Sequence, residues 1–328
     1  MSSWIYLFLN YLKRMGCILL RPSLVVEGQK YKVRRQLAEG GFSTIDLAEN
    51  TRNGKLVAIK RITCHSIQDQ NLGKFEIEVH RKFQHENIIR LIGASIEGDA
   101  DIIHNITSEI ILVLPYYERG SLQDELEKRC LKENHLEETV LLRLFHCICS
   151  AVRRFHSHDP PYAHRDIKPH NILLEKDFTP ILMDLGSVAP ARITIRSNRD
   201  AQFLQDTAAE RCSMTYRPPE LFMVPSSFDI TEKTDIWSLG CLLYSLMYFK
   251  SPFDSVYERG DSVALAVQSG DISFPTLKKP YSDPVQQLVR KMMNLDMSFR
   301  PSIDGVIEET ENILSSEQSN QTVAVQIK

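Results

Sequence analysis

Tyr162-Ala163-His164-Arg165-Asp166-Ile167-Lys168-Pro169-His170-Asn171, followed a short way on by Met183-Asp184-Leu185-Gly186-Ser187, is the stretch from which the rest of the chain is read. It gathers a carboxylate able to accept a proton (Asp166), two oxygen donors of the kind that hard divalent cations take (Asn171, Asp184), and an ammonium (Lys168). Transfer of a phosphoryl group to a hydroxyl asks for these groups, because it depends on positioning and on neutralising phosphate charge more than on covalent help. On that chemistry Asp166 could accept the proton of an attacking hydroxyl, and Asn171 and Asp184 could hold a divalent cation against phosphates. Leu185 is an apolar plug that sets the position of Asp184.

Working towards the N-terminus, Val57-Ala58-Ile59-Lys60 reads as a strand whose last ammonium can reach the α- and β-phosphates. Glu76, on the one helix of this region, could hold that ammonium in place. Glu78 is the rival partner, and the spacing from Glu76 to His85-Glu86-Asn87-Ile88 favours Glu76. Earlier still, Ala38-Glu39-Gly40-Gly41-Phe42-Ser43-Thr44-Ile45 is a turn that would fold over a triphosphate and offer it backbone N–H groups. Its first and third glycine places are taken by Ala38 and Ser43, so an ordinary Gly-Gly hairpin is an equal reading. Leu114, Pro115, Tyr116 and Tyr117, with Ala58 and Leu173, supply apolar surface for adenine; the bland alternative is that each is core or linker.

Towards the C-terminus, Lys168 can touch both the γ-phosphate and a hydroxyl residue of a substrate-binding loop, here Ser213, a placement that marks serine and threonine acceptors. Glu220 in Arg217-Pro218-Pro219-Glu220 is paired with Arg300 as scaffold, and Asp235-Ile236-Trp237-Ser238-Leu239-Gly240 opens a core helix.

Composition sets the frame. With 328 residues, a quarter of them charged and 43% hydrophobic, the chain can bury a large core, and a net charge of −3 gives no positive field to draw nucleic acid, so no nucleic-acid partner is expected. The seven cysteines lack the paired spacings of zinc sites and read as reduced thiols. No apolar run is long enough to span a membrane. Short β-type runs (31–37, 44–49, 56–62, 110–114) with one helix at 74–83 make a small sheet region, 31–115. Helical periodicity then dominates at 137–158, 235–249, 283–294 and 302–314, so 116–314 is a mostly helical region. Residues 1–30 are set apart as an extension and 315–328 as a polar tail without regular structure.

Glu39-Gly40-Gly41-Phe42-Ser43, Met183-Asp184-Leu185-Gly186-Ser187 and the long segment 184–220 resemble the Numb-associated kinases, over residues 31–314. The resemblance implies an α+β, bilobal kinase fold, a small antiparallel sheet with one main helix beside a larger helical lobe. It implies ATP- and Mg2+-dependent transfer to serine or threonine of protein substrates, with autophosphorylation. Lys60 is then the ATP-binding lysine, Asp166 the proton acceptor, Asn171 and Asp184 the metal ligands, and 201–210 a helix within the activation segment. Arg165 could pair with a phosphate on that segment, where Thr194, Ser197 and Thr207 are available. Two rivals stand beside it: a pseudokinase scaffold, and a small-molecule kinase, against which the activation segment, Glu220 and the helix opened by Asp235 argue.

Met15-Gly16-Cys17 adds a further expectation. If translation starts at Met15, Gly16 becomes a myristoylation acceptor and Cys17 a palmitoylation candidate, giving a cytoplasmic protein peripherally bound to a membrane. The segments 60–62, 118–122, 211–212 and 260–268 point to a doubly acylated, Golgi-associated branch of the family, which implies a Golgi or perinuclear location and a signalling or trafficking role. The apolar patch Trp4–Leu12 is an alternative anchor.

Overall fold

A computed structural model describes residues 23–41, 43–102, 106–276 and 281–326, with side chains described through residue 316. It divides into two compact units, the first comprising residues up to Ile77 and Leu91–Tyr116, the second Glu78–Arg90 and everything from Tyr117 onward.

The first unit is an antiparallel sheet of six strands, β1 (Ser23–Val26), β2 (Gln29–Glu39), β3 (Ser43–Asn50), β4 (Leu56–Cys64), β5 (Gly93–Glu97) and β6 (Ser108–Pro115), in the order β1-β2-β3-β4-β6-β5. Alternation along β4 explains its two faces. Val57 and Ile59 are buried with Val26, Tyr31, Ala48, Ile111 and Val113 on one side. On the other, Ile62 and Cys64 join Ile77, Ala94, Ile110 and Leu112. Helix α1 (Ile67–Lys82) covers this second face and approaches it at Gly73, where an added Cβ would lie 2.5 Å from Ile110 Cδ1. Full burial of side chains such as Ile59 and Ile110 stabilises by roughly 1.5–3 kcal/mol each.

The sheet differs from the sequence expectation at its start and end. Its first strand pairs with β2 through Ser23↔Lys32 to Val26↔Gln29, so residues 23–30 belong to the sheet rather than to an extension. The short strand β5, lacking an apolar run, was invisible to periodicity. Helix α1 begins seven residues before 74, because its first turns carry exposed Ile67 and Leu72 and no apolar stripe.

The second unit takes the end of α1 and the following turn, which the division at residue 115 had placed with the sheet. The reason is packing: Phe83 lies 4.7 Å, centroid to centroid, from Phe155, Asn87 Nδ2 donates to the Pro180 carbonyl, and Ile89 N to that of Leu182. Its helices are α2 (Leu122–Cys130), α3 (Glu138–His156), α4 (Asn198–Arg211), α5 (Lys233–Tyr248), α6 (Asp254–Glu258), α7 (Val263–Ser269), α8 (Asp283–Met292) and α9 (Ile303–Gln326). α2 is fixed by a capping box in which Ser121 and Asp124 satisfy each other's backbone N–H. Residues 234–247 of α5 are all buried, which makes it the central helix. α9 runs on through the polar tail, where no glycine or proline supplies a stop. Small antiparallel pairs, β7 (Tyr162–Ala163) with β10 (Ala189–Pro190), β8 (Ile172–Leu174) with β9 (Pro180–Leu182) and β11 (Ile193–Ile195) with β12 (Phe228–Ile230), brace the loops between them.

Candidate active site

In the first unit, the glycine-bearing turn is a tight hairpin. Glu39 pairs with Thr44 and Ala38 with Ile45, and Gly40 N donates to Ser43 O at 2.7 Å. Gly40 and Gly41 have ordinary backbone angles, and a Cβ on Gly41 would meet nothing within 4 Å. What glycine provides here is bare backbone, not a left-handed conformation. Phe42 lies outside the described residues.

Lys60 pairs in register with Ile45 on β3 and Leu112 on β6, and Ala58 with Leu47 and Leu114. Lys60 Nζ meets Glu76 Oε1 at 2.9 Å, both side chains largely buried, whereas Glu78 is exposed. Removing one member of a pair this buried costs about 3–5 kcal/mol. Leu114, Pro115 and Tyr116 end this unit, while Tyr117 and Leu173 belong to the second.

In the second unit, pairing of β8 with β9 sets Ile172 opposite Leu182, and Met183 N donates to Asn171 O at 2.9 Å. Asn171 and the Met183-Asp184 backbone are thereby brought side by side. Asp166 is the hub. Its Oδ2 accepts from Asn171 Nδ2 at 2.8 Å and from Lys168 Nζ at 2.8 Å, and its Oδ1 from Ser213 N at 2.9 Å. Lys168 Nζ also donates to Ser213 Oγ at 2.5 Å. Because the Asn171 amide NH2 is spent on Asp166, its Oδ1 is the atom left for a cation; with the Asp184 carboxylate it makes a hard-oxygen donor pair that suits a divalent metal.

A deeper layer holds this hub, centred on a residue whose only signal in the sequence is the start of a helix. Asp235, fully buried on α5, accepts from His164 N (2.7 Å), Arg165 N (2.8 Å) and His156 Nε2 (2.9 Å). Burial pushes its carboxyl up, but the His156 bond and charge and the other donors outweigh that, and it titrates below its ordinary value. His164 Nδ1 accepts from Asp166 N, and its Nε2 donates to the Met183 carbonyl, tying the Asp166 loop to the Asp184 strand. Ser187 Oγ closes the link by donating to His164 O at 2.7 Å. Arg165 and Asp184 both have left-handed backbones, φ 66° and 60°, which cost non-glycine residues about 1–3 kcal/mol and persist because these bonds over-determine them. His156 could have been suspected as the one polar group ending the apolar face of α3.

Glu220 and Arg300 form a two-pronged ion pair, 2.7 and 2.8 Å, with Arg300 stacked on Trp237. The pair is buried and shares no hydrogen bond with Asp166, Lys168, Asn171 or Ser213, which fits a scaffold role.

Residues 31–310 match the protein kinase domain. The chain belongs to the protein kinase family. Serine/threonine-protein kinase 16 of Rattus norvegicus is 42% identical over 295 residues, covering 90% of this chain and 94% of the relative. The Homo sapiens protein of that name is 41% identical over the same shares. A probable serine/threonine-protein kinase of Dictyostelium discoideum is 35% identical, with 89% of this chain and 96% of the relative covered. This kinase is a serine/threonine protein kinase, of α+β fold with an antiparallel sheet unit and a helical unit. Such a domain acts with ATP and a divalent metal on serine or threonine of protein substrates.

Proposed function

We propose that this kinase uses Mg2+, held by Asn171 Oδ1 and the Asp184 carboxylate, and that Asp166 is its general base. The carrying observation is the hub itself, in which Lys168, Asn171 and Ser213 fix both carboxylate oxygens of Asp166. An acceptor hydroxyl gives its proton to Asp166 as its oxygen attacks the γ-phosphorus; the β,γ-bridging P–O bond breaks and ADP leaves. Bound Mg2+ neutralises phosphate charge. Lys168 steadies the γ-phosphoryl group while keeping Ser213 against the base, and Lys60, held by Glu76, binds the α- and β-phosphates. Backbone N–H groups of the turn 38–45 serve the phosphates, and Ala58, Leu114, Pro115, Tyr116, Tyr117 and Leu173 serve the adenine. Turnover of Mg·ATP with a serine or threonine peptide tests this reading. Equal rates from wild type and Asp184→Ala would sink it.

For location, the Met15-Gly16-Cys17 motif supports acylation at Gly16 and Cys17 of a form starting at Met15, with peripheral attachment to Golgi or perinuclear membranes and a signalling or trafficking role there. These residues and the patch Trp4–Leu12 lie outside the described residues; among the described ones no helix is long and apolar enough to cross a membrane. Fractionation of cells expressing the short form and its Gly16→Ala variant is the check, with an unchanged membrane fraction counting against acylation.

A further inference from the structure

One end of the sheet unit is basic, in a chain whose net charge is −3. Strand register puts Ser23, Lys32, Glu49 and Leu56 in one row across β1 to β4, and Val25 beside Lys30 in the next. Side chains alternate along each strand, so these residues share the face opposite to the one that buries Val26, Tyr31, Ala48 and Val57. Lys30 and Lys32 are exposed, and the turn from β3 to β4 adds exposed Arg52 and Lys55. That turn stays at the same end of the sheet because Thr51 N donates to the Lys30 carbonyl at 2.9 Å. None of these four cations forms a side-chain ion pair or hydrogen bond among the described residues.

The neighbouring carboxylates are already committed. Glu49 pairs with Arg34, and Glu27, at the turn from β1 to β2, has its Oε1 accepting from Ala94 N on β5. Among the cations stand two open apolar side chains, Val25 at 58% and Leu56 at 39% exposure. An anionic bilayer answers both features, since its headgroups attract the ammonium and guanidinium groups and its acyl boundary takes up valine and leucine. We infer, building on the peripheral attachment proposed above, that this face of the sheet is a lipid-binding surface, with Lys30, Lys32, Arg52 and Lys55 on anionic headgroups and Val25 and Leu56 at the acyl boundary.

The place of this face along the chain favours lipid. Ser23, at its edge, stands six residues after Cys17, a stretch that spans at most about 20 Å. An acyl chain at Gly16 or Cys17 would therefore keep the basic face near the bilayer. One acyl chain binds only marginally and reversibly, and a basic surface is one of the second signals that make anchoring stable. Nucleic acid also offers phosphates, but it has no apolar layer to cover Val25 and Leu56.

The test is co-sedimentation of the purified full chain, produced without lipid modification, with phosphatidylcholine vesicles that do or do not contain roughly 30% phosphatidylserine. Binding is expected on the phosphatidylserine vesicles alone and should weaken as salt is raised. Each cation near an anionic surface is worth about fivefold in partition, so Lys30→Gln combined with Lys32→Gln should lower binding about 20-fold. Lys128→Gln combined with Lys132→Gln makes the same charge change at exposed positions of the helical unit and should leave binding unchanged. Equal binding to both kinds of vesicle, undiminished binding by the Lys30 and Lys32 variant, or an equal loss from the Lys128 and Lys132 variant overturns the inference. Binding to a single-stranded RNA oligonucleotide without binding to the vesicles does so too. Because the chain in this assay carries no acyl group, a negative result here is separate from a failure of acylation, which the Gly16→Ala fractionation reads.

Discussion

The two units hold their charged groups in different ways. In the sheet unit, Lys60 is placed by strand register and oriented by the ion pair with Glu76. In the helical unit, Asp166 is gripped at both oxygens, its loop is hung from Asp235 by two backbone N–H groups, and His164 and Ser187 tie that loop to the Asp184 strand. A group proposed to reach a phosphate can be aimed by strand register and an ion pair. A proton acceptor must meet a reacting hydroxyl within hydrogen-bond reach, and redundancy gives it that precision. Substitutions should therefore separate by unit, with chemistry lost on one side and positioning on the other.

The largest effect is expected from Asp166→Asn, which keeps the shape of the hub but removes the base. Turnover should fall by roughly 10²–10⁴-fold, with ATP affinity nearly unchanged, as read by steady-state kinetics and equilibrium binding. ATP affinity falling in step with the rate would mean that Asp166 serves the nucleotide and that the contrast is drawn in the wrong place.

Asp235→Asn comes next and sharpens the contrast, since Asp235 touches no reacting group. The neutral amide takes the charged acceptor from all three donors and sets its own NH2 against at least one of them, and stability should drop by about 1.5–3 kcal/mol together with turnover. The pH dependence follows from sign. The folded carboxyl titrates below its ordinary value, so its contribution is complete above the unfolded-state carboxylate range and is lost as pH falls through the folded value. The stability gap between wild type and Asp235→Asn should hold steady from about pH 6 to 8 and close only in acid, below about pH 4. A gap that closes near neutrality would show that a group other than Asp235 carries the pH dependence.

In the sheet unit, Lys60→Ala and Glu76→Ala should each lower kcat/KM strongly, and the double variant should be little worse than the more damaging single one. Fully additive losses would show that Glu76 acts elsewhere than through Lys60.

Much of this was legible from residues alone where chemistry is written in short strings. Lys60, Asp166, Lys168, Asn171 and Asp184 stand out by residue type and spacing as the groups to which roles are proposed above, and the long strands and helices carry their faces in periodicity. What stayed hidden had no local signature. The strand Gly93–Glu97 is too short and polar to register, and residues 23–26 join the sheet only through partners in β2. Asp235 reads as a helix start until the fold brings it 2.7 Å from the backbone of a residue 71 positions earlier.

The smallest effect should come from Ala38→Gly, which restores the glycine that the family turn usually has at its first place. Were the turn short of backbone freedom, this change would relieve it and ATP would bind better. Ala38 instead sits at the end of β2, paired with Ile45, with no left-handed angle for glycine to ease. Glycine there adds freedom to the unfolded chain and weakens a strand end, for about 0.5–1 kcal/mol of stability. KM for ATP should move by less than about twofold, since the bare backbone proposed to serve the phosphates is already provided by Gly40 and Gly41. A clear fall in KM with unchanged turnover would show that the methyl group of Ala38 obstructs the nucleotide, and the turn would then rank with the ion pair as a determinant of positioning in the sheet unit.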